Sequence, residues 1–133
     1  MPLYVTDTHP LLWYASGAHN KLSKGALRVF EAASRTEALV YIPAIALWEA
    51  SIVLKEGRVS LPEPFGQWAR RILSHPGFDL APLDSQVIVE AAYLRFHSDP
   101  FDAAIVATAL VKDLPLITKD RAITNAGLVE IAW

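Results

Sequence analysis

The sequence predicts an α/β protein, with a parallel sheet covered by helices on both faces. Two observations predict it. Short runs of β-branched and aromatic residues alternate along the chain with longer segments of helical period. Such alternation sets successive strands side by side, with helices as the crossovers. The 133 residues, 53% of them hydrophobic, suffice for one core; split in two they would leave each part small, so the chain reads as a single domain over 1–133.

The elements follow in order. Leu3 to Thr6 reads as a short strand and Thr8 to Ser16 as a helix, with Gly17 as its stop. Ser23 to Ala33 forms an amphipathic helix, with Leu27 and Phe30 on one apolar face. Leu39 to Ile42 is β-branched and aromatic, hence a strand. Pro43 then suits the first turn of a helix, where its missing N–H costs nothing, and that helix runs to about Glu56 and ends at Gly57. Pro62 and Pro64 mark a loop, Phe65 to Ser74 a helix, and Phe78 to Ala81 a strand. Asp84 caps a helix through about Phe96, and Asp99-Pro100 opens another that reaches about Lys112. Leu116 to Thr118 is a strand, Ala122 lies in a short helix, and Val129 to Ile131 is the last strand.

Composition excludes several classes. Without cysteine there is no disulfide framework, thiolate metal site or cysteine nucleophile, which suits a cytoplasmic setting. The longest apolar stretches run to about nine residues, where a membrane span needs roughly 20. The start of the chain carries no basic segment before an apolar run, so no secretory signal is expected. The six glycines are too scattered for a phosphate-cradling loop. The net charge of −2 argues against a protein that merely coats nucleic acid. The apolar surplus fits a surface covered by a partner or a second copy.

Four acids stand where a solvated charge is not expected. Asp7 follows the first strand and precedes a helix, at the carboxyl edge where parallel sheets bind ligands; the competing reading is an N-cap. Glu49 has Ile45, Ala46, Ile52 and Val53 as its helical neighbours and so interrupts an apolar helix. A buried Glu with a basic or backbone partner, or a helix edge at the surface, would explain it without chemistry. Asp102 falls three positions after the cap Asp99, where it answers the helix dipole, yet Ile105 and Val106 on the next turn draw it inward. Asp120 follows the strand LPLIT after one lysine, as a site residue or as the cap of a short helix. If the four converge, they cannot stand bare. Two unit charges about 4 Å apart repel by roughly 4 kcal/mol at an effective dielectric near 20, against a total stability of about 5–15 kcal/mol. Either their pKa values rise or a cation sits among them. Carboxylates and water favour Mg²⁺, with Mn²⁺ as the other candidate.

These residues lie in the segments YVTDTHPLLWYASG, IPAIALWEASIVLKEGRVSLP and FHSDPFDAAIVATALVKDLPLITKD, with LVEIAW at the end. In that order, over nearly the whole chain, they resemble the PIN-domain ribonucleases, and in particular the VapC-like toxins of bacterial toxin–antitoxin pairs. The DPFD…LPLITKD stretch is the most specific part. The resemblance implies a three-layer α/β/α sandwich with a central, mainly parallel sheet. It also implies Mg²⁺-dependent endoribonuclease activity in which a metal-activated water hydrolyses RNA phosphodiester bonds, a homodimer, and a cognate antitoxin. On it, Asp7, Glu49, Asp102 and Asp120 are the catalytic, metal-holding acids, with Asp99 and Thr118 behind them. Glu49 or Asp120 is the acid to orient the water. Two positions depart from the pattern. Ala46 stands where many relatives carry a polar residue, and Ala103 where many carry Arg.

RNA contact would fall to Lys119 and Arg121, which flank Asp120, and to Lys55, Arg58 and Arg95; taken singly, each is better explained as solvated surface charge. His9 and His97 read as structural histidines, and Trp13, Trp48, Trp68 and Trp133 as core or interface residues rather than base-stacking ones. Three other readings remain open. A phosphoacceptor signalling domain also clusters acids at strand ends but needs no Glu in an apolar helix. A haloacid-dehalogenase-type phosphatase wants a second Asp where His9 stands. A catalytically inert PIN-like module would bind RNA or protein alone. The charge does not exclude RNA: with the four acids set aside, 12 basic residues face 10 acidic ones, a balance of +2. Weak, salt-sensitive RNA binding is expected.

Overall fold

A computed structural model describes residues 1–95 and 99–133. The chain runs β1 (Leu3–Thr6), α1 (Thr8–Ser16), a 3-10 turn (His19–Lys21), α2 (Lys24–Ser34), β2 (Leu39–Pro43), α3 (Ala44–Lys55) and α4 (Phe65–Leu73). It continues through β3 (Phe78–Ala81), α5 (Ser85–Ala92), α6 (Pro100–Lys112), β4 (Leu116–Ile117), α7 (Arg121–Ala126) and β5 (Ile131–Ala132). The strands form one sheet in the order β3-β2-β1-β4-β5, and every pairing is parallel. Helices cover both faces, so the three-layer α/β/α class is the observed one. No helix among the described residues is long and apolar enough to cross a membrane.

Strand alternation divides the core into two layers. Val5 pairs in register with Tyr41 on one side and Leu116 on the other, and these pack with Ile105, Val106 and Ala109 of α6 and Ile123 of α7. Val40, paired with Phe78, points the other way with Ile42 and Ile117, into a layer built from α1, α2 and α4 around Phe30 and Trp68. Helix α3 serves both layers, through Ala46 in the first and Ala50 and Val53 in the second.

Caps fall where the sequence places them. Gly17 closes α1 with φ +80°, in the left-handed region that favours glycine. Ser23, Asp84, Asp99 and Asp120 each accept a backbone N–H at the start of a helix. Several boundaries differ from expectation. Pro43 ends β2 and flanks α3 rather than opening it, because its extended ψ of 137° continues the strand. The last strand lies at Ile131–Ala132, where it pairs with Leu116 and Ile117, later than the hydrophobic run indicates. Helix α5 is capped by Tyr93; the expected end at Phe96, like His97, lies outside the described residues. The 3-10 turn at His19–Lys21 has no counterpart in the sequence reading.

One glycine is required by packing. A Cβ on Gly77 would stand 1.8 Å from the carbonyl oxygen of Ala33 in α2. Gly77→Ala must push α2 away from the start of β3. A loss of about 2–3 kcal/mol is expected, read as a lower denaturation midpoint with an unchanged slope.

Candidate active site

The sheet order places β1 between β2, which follows it in the chain, and β4, which arrives from the far side. This reversal is the switch point of a parallel sheet, where a crevice opens beyond the carboxyl ends of the strands. Asp7 follows β1 at that edge, and Thr118, Lys119 and Asp120 follow β4 beside it. The backbone N–H of Asp7 donates to the carbonyl of Ile117 at 2.9 Å, which fixes the two strand ends together.

Thr118 joins the two acids. Its buried hydroxyl donates to Asp7 Oδ2 at 2.7 Å, and its Oγ1 accepts the backbone N–H of Asp120 at 3.0 Å. Asp7 Oδ1 accepts the N–H of Thr8 at 2.8 Å, so Asp7 caps α1 as well as standing in the crevice. Asp120 likewise caps α7 through Oδ1, at 2.9 Å from the N–H of Ile123. The capping and functional readings of these acids are therefore compatible. Glu49 arrives from α3, and its Oε1 accepts a hydrogen bond from the Thr8 hydroxyl. Thr8 had no signal in the sequence, since its partner lies far along the chain. Asp99 accepts the N–H of Phe101 at 2.8 Å at the head of α6. Asp102 is half-buried in the first turn of that helix, which packs on both α3 and β1.

Glu49 is less enclosed than its apolar neighbours predict. Helix α3 buries a narrow stripe, Ala46, Ala50 and Val53, while Ile45 and Leu47 are half-buried and Trp48 is 60% exposed. Glu49 lies at the margin of that stripe, half-buried.

The carboxyls of Asp7 and Glu49 are perturbed. Burial holds the Asp7 carboxyl above its ordinary value of 3.8, against the opposing hydrogen bonds from Thr118 and Thr8 and the charge of His9, and nearby Asp120 adds to the rise. Burial also raises Glu49 above 4.5, with the charges of Asp7 and Asp99 adding to it and the Thr8 hydrogen bond and the charge of His9 opposing. Asp7 and Glu49 thus feel each other, and Asp7 and Asp120 do too. Arg35–Glu37, Arg58–Glu56 and Arg71–Glu63 form ion pairs away from Asp7 and Glu49. The hydrogen bonds that Asp7 accepts come from Thr118 and Thr8, and His9 stands near enough for its charge to act on the carboxyl.

Among the described residues no three of His, Asp and Glu are drawn close enough to form a ready metal cage. The donor set still fits a small hard cation. Mg²⁺ keeps several waters and takes one or two carboxylates together with substrate phosphates. Carboxylates whose ionisation burial opposes gain most from a cation.

A cavity of about 380 Å³ opens at this edge, lined by Asp7, His9, Pro10, Trp13, Lys119, Asp120 and Arg121. Of the basic residues singled out in the sequence, Lys119 and Arg121 thus join the site. Arg58 instead pairs with Glu56, Lys55 is exposed at the end of α3, and Arg95 lines a separate cavity with Tyr93 and Leu128. Ala46 is fully buried in the core.

The chain matches the PIN-domain family over residues 4–128. It is 28% identical over 123 residues to Ribonuclease VapC22 of Mycobacterium tuberculosis (strain ATCC 25618 / H37Rv), covering 91% of this chain and 89% of that protein. The fold is similar to that in the crystal structure of VapBC2 from Rickettsia felis bound to a promoter DNA fragment. That match has a TM-score of 0.70 at 15% identity and covers 97% of this chain and 96% of the other. DNA-bound VapBC from Salmonella typhimurium gives a TM-score of 0.69 at 17% identity, covering 98% and 97%.

Proposed function

The chain belongs to the PIN-domain family, and from that premise we propose that it is a Mg²⁺-dependent endoribonuclease, the toxin of a toxin–antitoxin pair. The observation that carries this reading is the buried Asp7, joined to Asp120 through Thr118 at the sheet's switch point. Its similarity to a ribonuclease named VapC22 supports the substrate class.

Asp7, Glu49, Asp102 and Asp120 would hold the cation, which when bound supplies Lewis acidity toward a phosphodiester oxygen. The chain's own groups do the rest. Thr118 fixes the orientation of Asp7, and Thr8 fixes that of Glu49. Glu49 or Asp120 would orient the water that attacks phosphorus. Lys119 and Arg121 stand on the cavity wall beside the acids, where they attract the RNA backbone.

Two exposed apolar areas support protein partners. Ile88 and Val89 on α5, with Tyr93 at its end, are 52%, 56% and 78% exposed, and Trp48 stands out from α3. A second copy of the chain and an antitoxin are the occupants we propose; the comparison with VapBC complexes supports the second.

The reading is tested by incubating the chain, without antitoxin, with structured RNAs in Mg²⁺ and then in excess chelator. Cleavage that requires Mg²⁺ and releases internal fragments is expected. RNA left intact in Mg²⁺, or cut equally in chelator, would refute it.

A further inference from the structure

Trp13 occupies a position unlike that of the other tryptophans. Trp68 is 1% exposed in the core, and Trp48 lies tilted against Phe101 on a different surface. Trp13 lines the cavity that holds Asp7 and Asp120. It sits one turn after His9 on α1, with ring centroids 6.0 Å apart, and is braced edge-on by Trp133 at 6.4 Å. The ring is half-buried, so it is anchored yet presents surface to the cavity.

Two ammonium groups converge on this ring from separate segments. Lys21 Nζ, from the 3-10 turn, is 5.9 Å from the centroid, and Lys119 Nζ, beside Asp120, is 5.8 Å away. Both distances are at the outer limit of a cation–π contact, so the lysines are free to turn to a stronger partner. A nucleic-acid strand offers one. Its phosphates attract the lysines, and its bases offer flat apolar faces to the indole. An anchored aromatic ring flanked by cations is how single strands are held without reading their sequence.

We propose that Trp13, with Lys21 and Lys119, forms a stacking platform for one unpaired nucleobase next to the phosphodiester at Asp7 and Asp120. This rests on the ribonuclease reading and adds to it a base contact made by α1 beside the cut. In a paired A-form helix the base is held in its stack and out of reach of the indole.

The test measures binding of hexauridylate and of a base-free ribose-phosphate hexamer to the full chain carrying Asp7→Asn, so that RNA is not cut. Hexauridylate is expected to bind more tightly than the base-free hexamer. Trp13→Leu should weaken hexauridylate binding about 5- to 100-fold, leave the base-free hexamer unchanged and keep the salt dependence. Trp13→Phe should retain most of the affinity. Lys21→Ala and Lys119→Ala should each lower the salt slope by about one. Equal binding of the two hexamers to the parent chain overturns the platform even if Trp13→Leu does not fold. Equal loss for both hexamers on Trp13→Leu also overturns it. If wild type cleaves RNA while either result holds, the ribonuclease reading stands without the platform. If wild type neither binds nor cleaves RNA, both fall.

Discussion

Asp7→Asn is expected to abolish RNA cleavage while leaving a folded protein whose stability depends less on pH. The substitution is nearly isosteric and keeps an oxygen for the Thr8 N–H. Its new amide can donate to Thr118 Oγ1 in place of the hydrogen bond that Asp7 Oδ2 accepts. What it removes is the charge. A cation that stabilises the transition state contributes several kcal/mol, so losing its central acid lowers the rate by roughly a thousandfold or more. Stability should move in the opposite direction. Asp7 binds its proton more tightly in the folded chain than in the unfolded one. Its contribution is therefore fully present below 3.8 and is lost as the pH rises through the raised folded value. In chelator at neutral pH the wild type carries this destabilisation and Asp7→Asn does not. Denaturation across pH, alongside the cleavage assay, checks both halves. A variant that cleaves at the wild-type rate, or that is markedly less stable at neutral pH, would contradict this role for Asp7.

Thr118→Val is expected to damage both stability and cleavage, with no change of charge. Valine matches the shape of threonine but leaves Asp7 Oδ2 and the Asp120 N–H without the hydroxyl that joins them. Each buried polar group left unsatisfied costs about 1–3 kcal/mol. The hydrogen bond from Thr118 also opposes the rise in the Asp7 pKa, so its loss drives that pKa higher. With Asp7 harder to ionise and no longer oriented, cleavage should fall about 10- to 100-fold, as for other groups that orient metal ligands. Raising Mg²⁺ should recover part of the rate. Thr118→Ser keeps the hydroxyl and should retain most activity. A valine variant as active as wild type at low Mg²⁺ would remove Thr118 from the site.

The sheet was legible because its strands are short and bounded. Val5, Tyr41 and Leu116 alternate with polar or oppositely facing neighbours, and Asp, Ser or Gly marks most helix ends. The placing of Asp7 and Asp120 at one edge of the sheet was legible for the same reason, since a strand end fixes where the next acid stands. Glu49 was only half legible. Its neighbours are apolar, but a helix on the outer layer buries one narrow stripe, and sequence alone does not show which apolar residues stay outside it. Thr8, Lys21 and the setting of Trp13 were not legible at all. The Thr8–Glu49 bond and the approach of Lys21 and Lys119 to one ring depend on how α1 packs on its neighbours, not on local pattern. Lys55, Arg58 and Arg95 were plausible by charge, but only Lys119 and Arg121 share the crevice with the acids, because they flank Asp120 at the end of β4.

The most direct measurement is a carboxyl-carbon NMR titration of Asp7 with and without Mg²⁺. Without the cation, Asp7 is expected to titrate above 3.8 because burial disfavours its charge. Added Mg²⁺ should move that titration to lower pH, and Ala substitution of Asp120 should reduce the shift. An Asp7 titration that Mg²⁺ leaves unmoved would contradict a cation site at the switch point of the sheet.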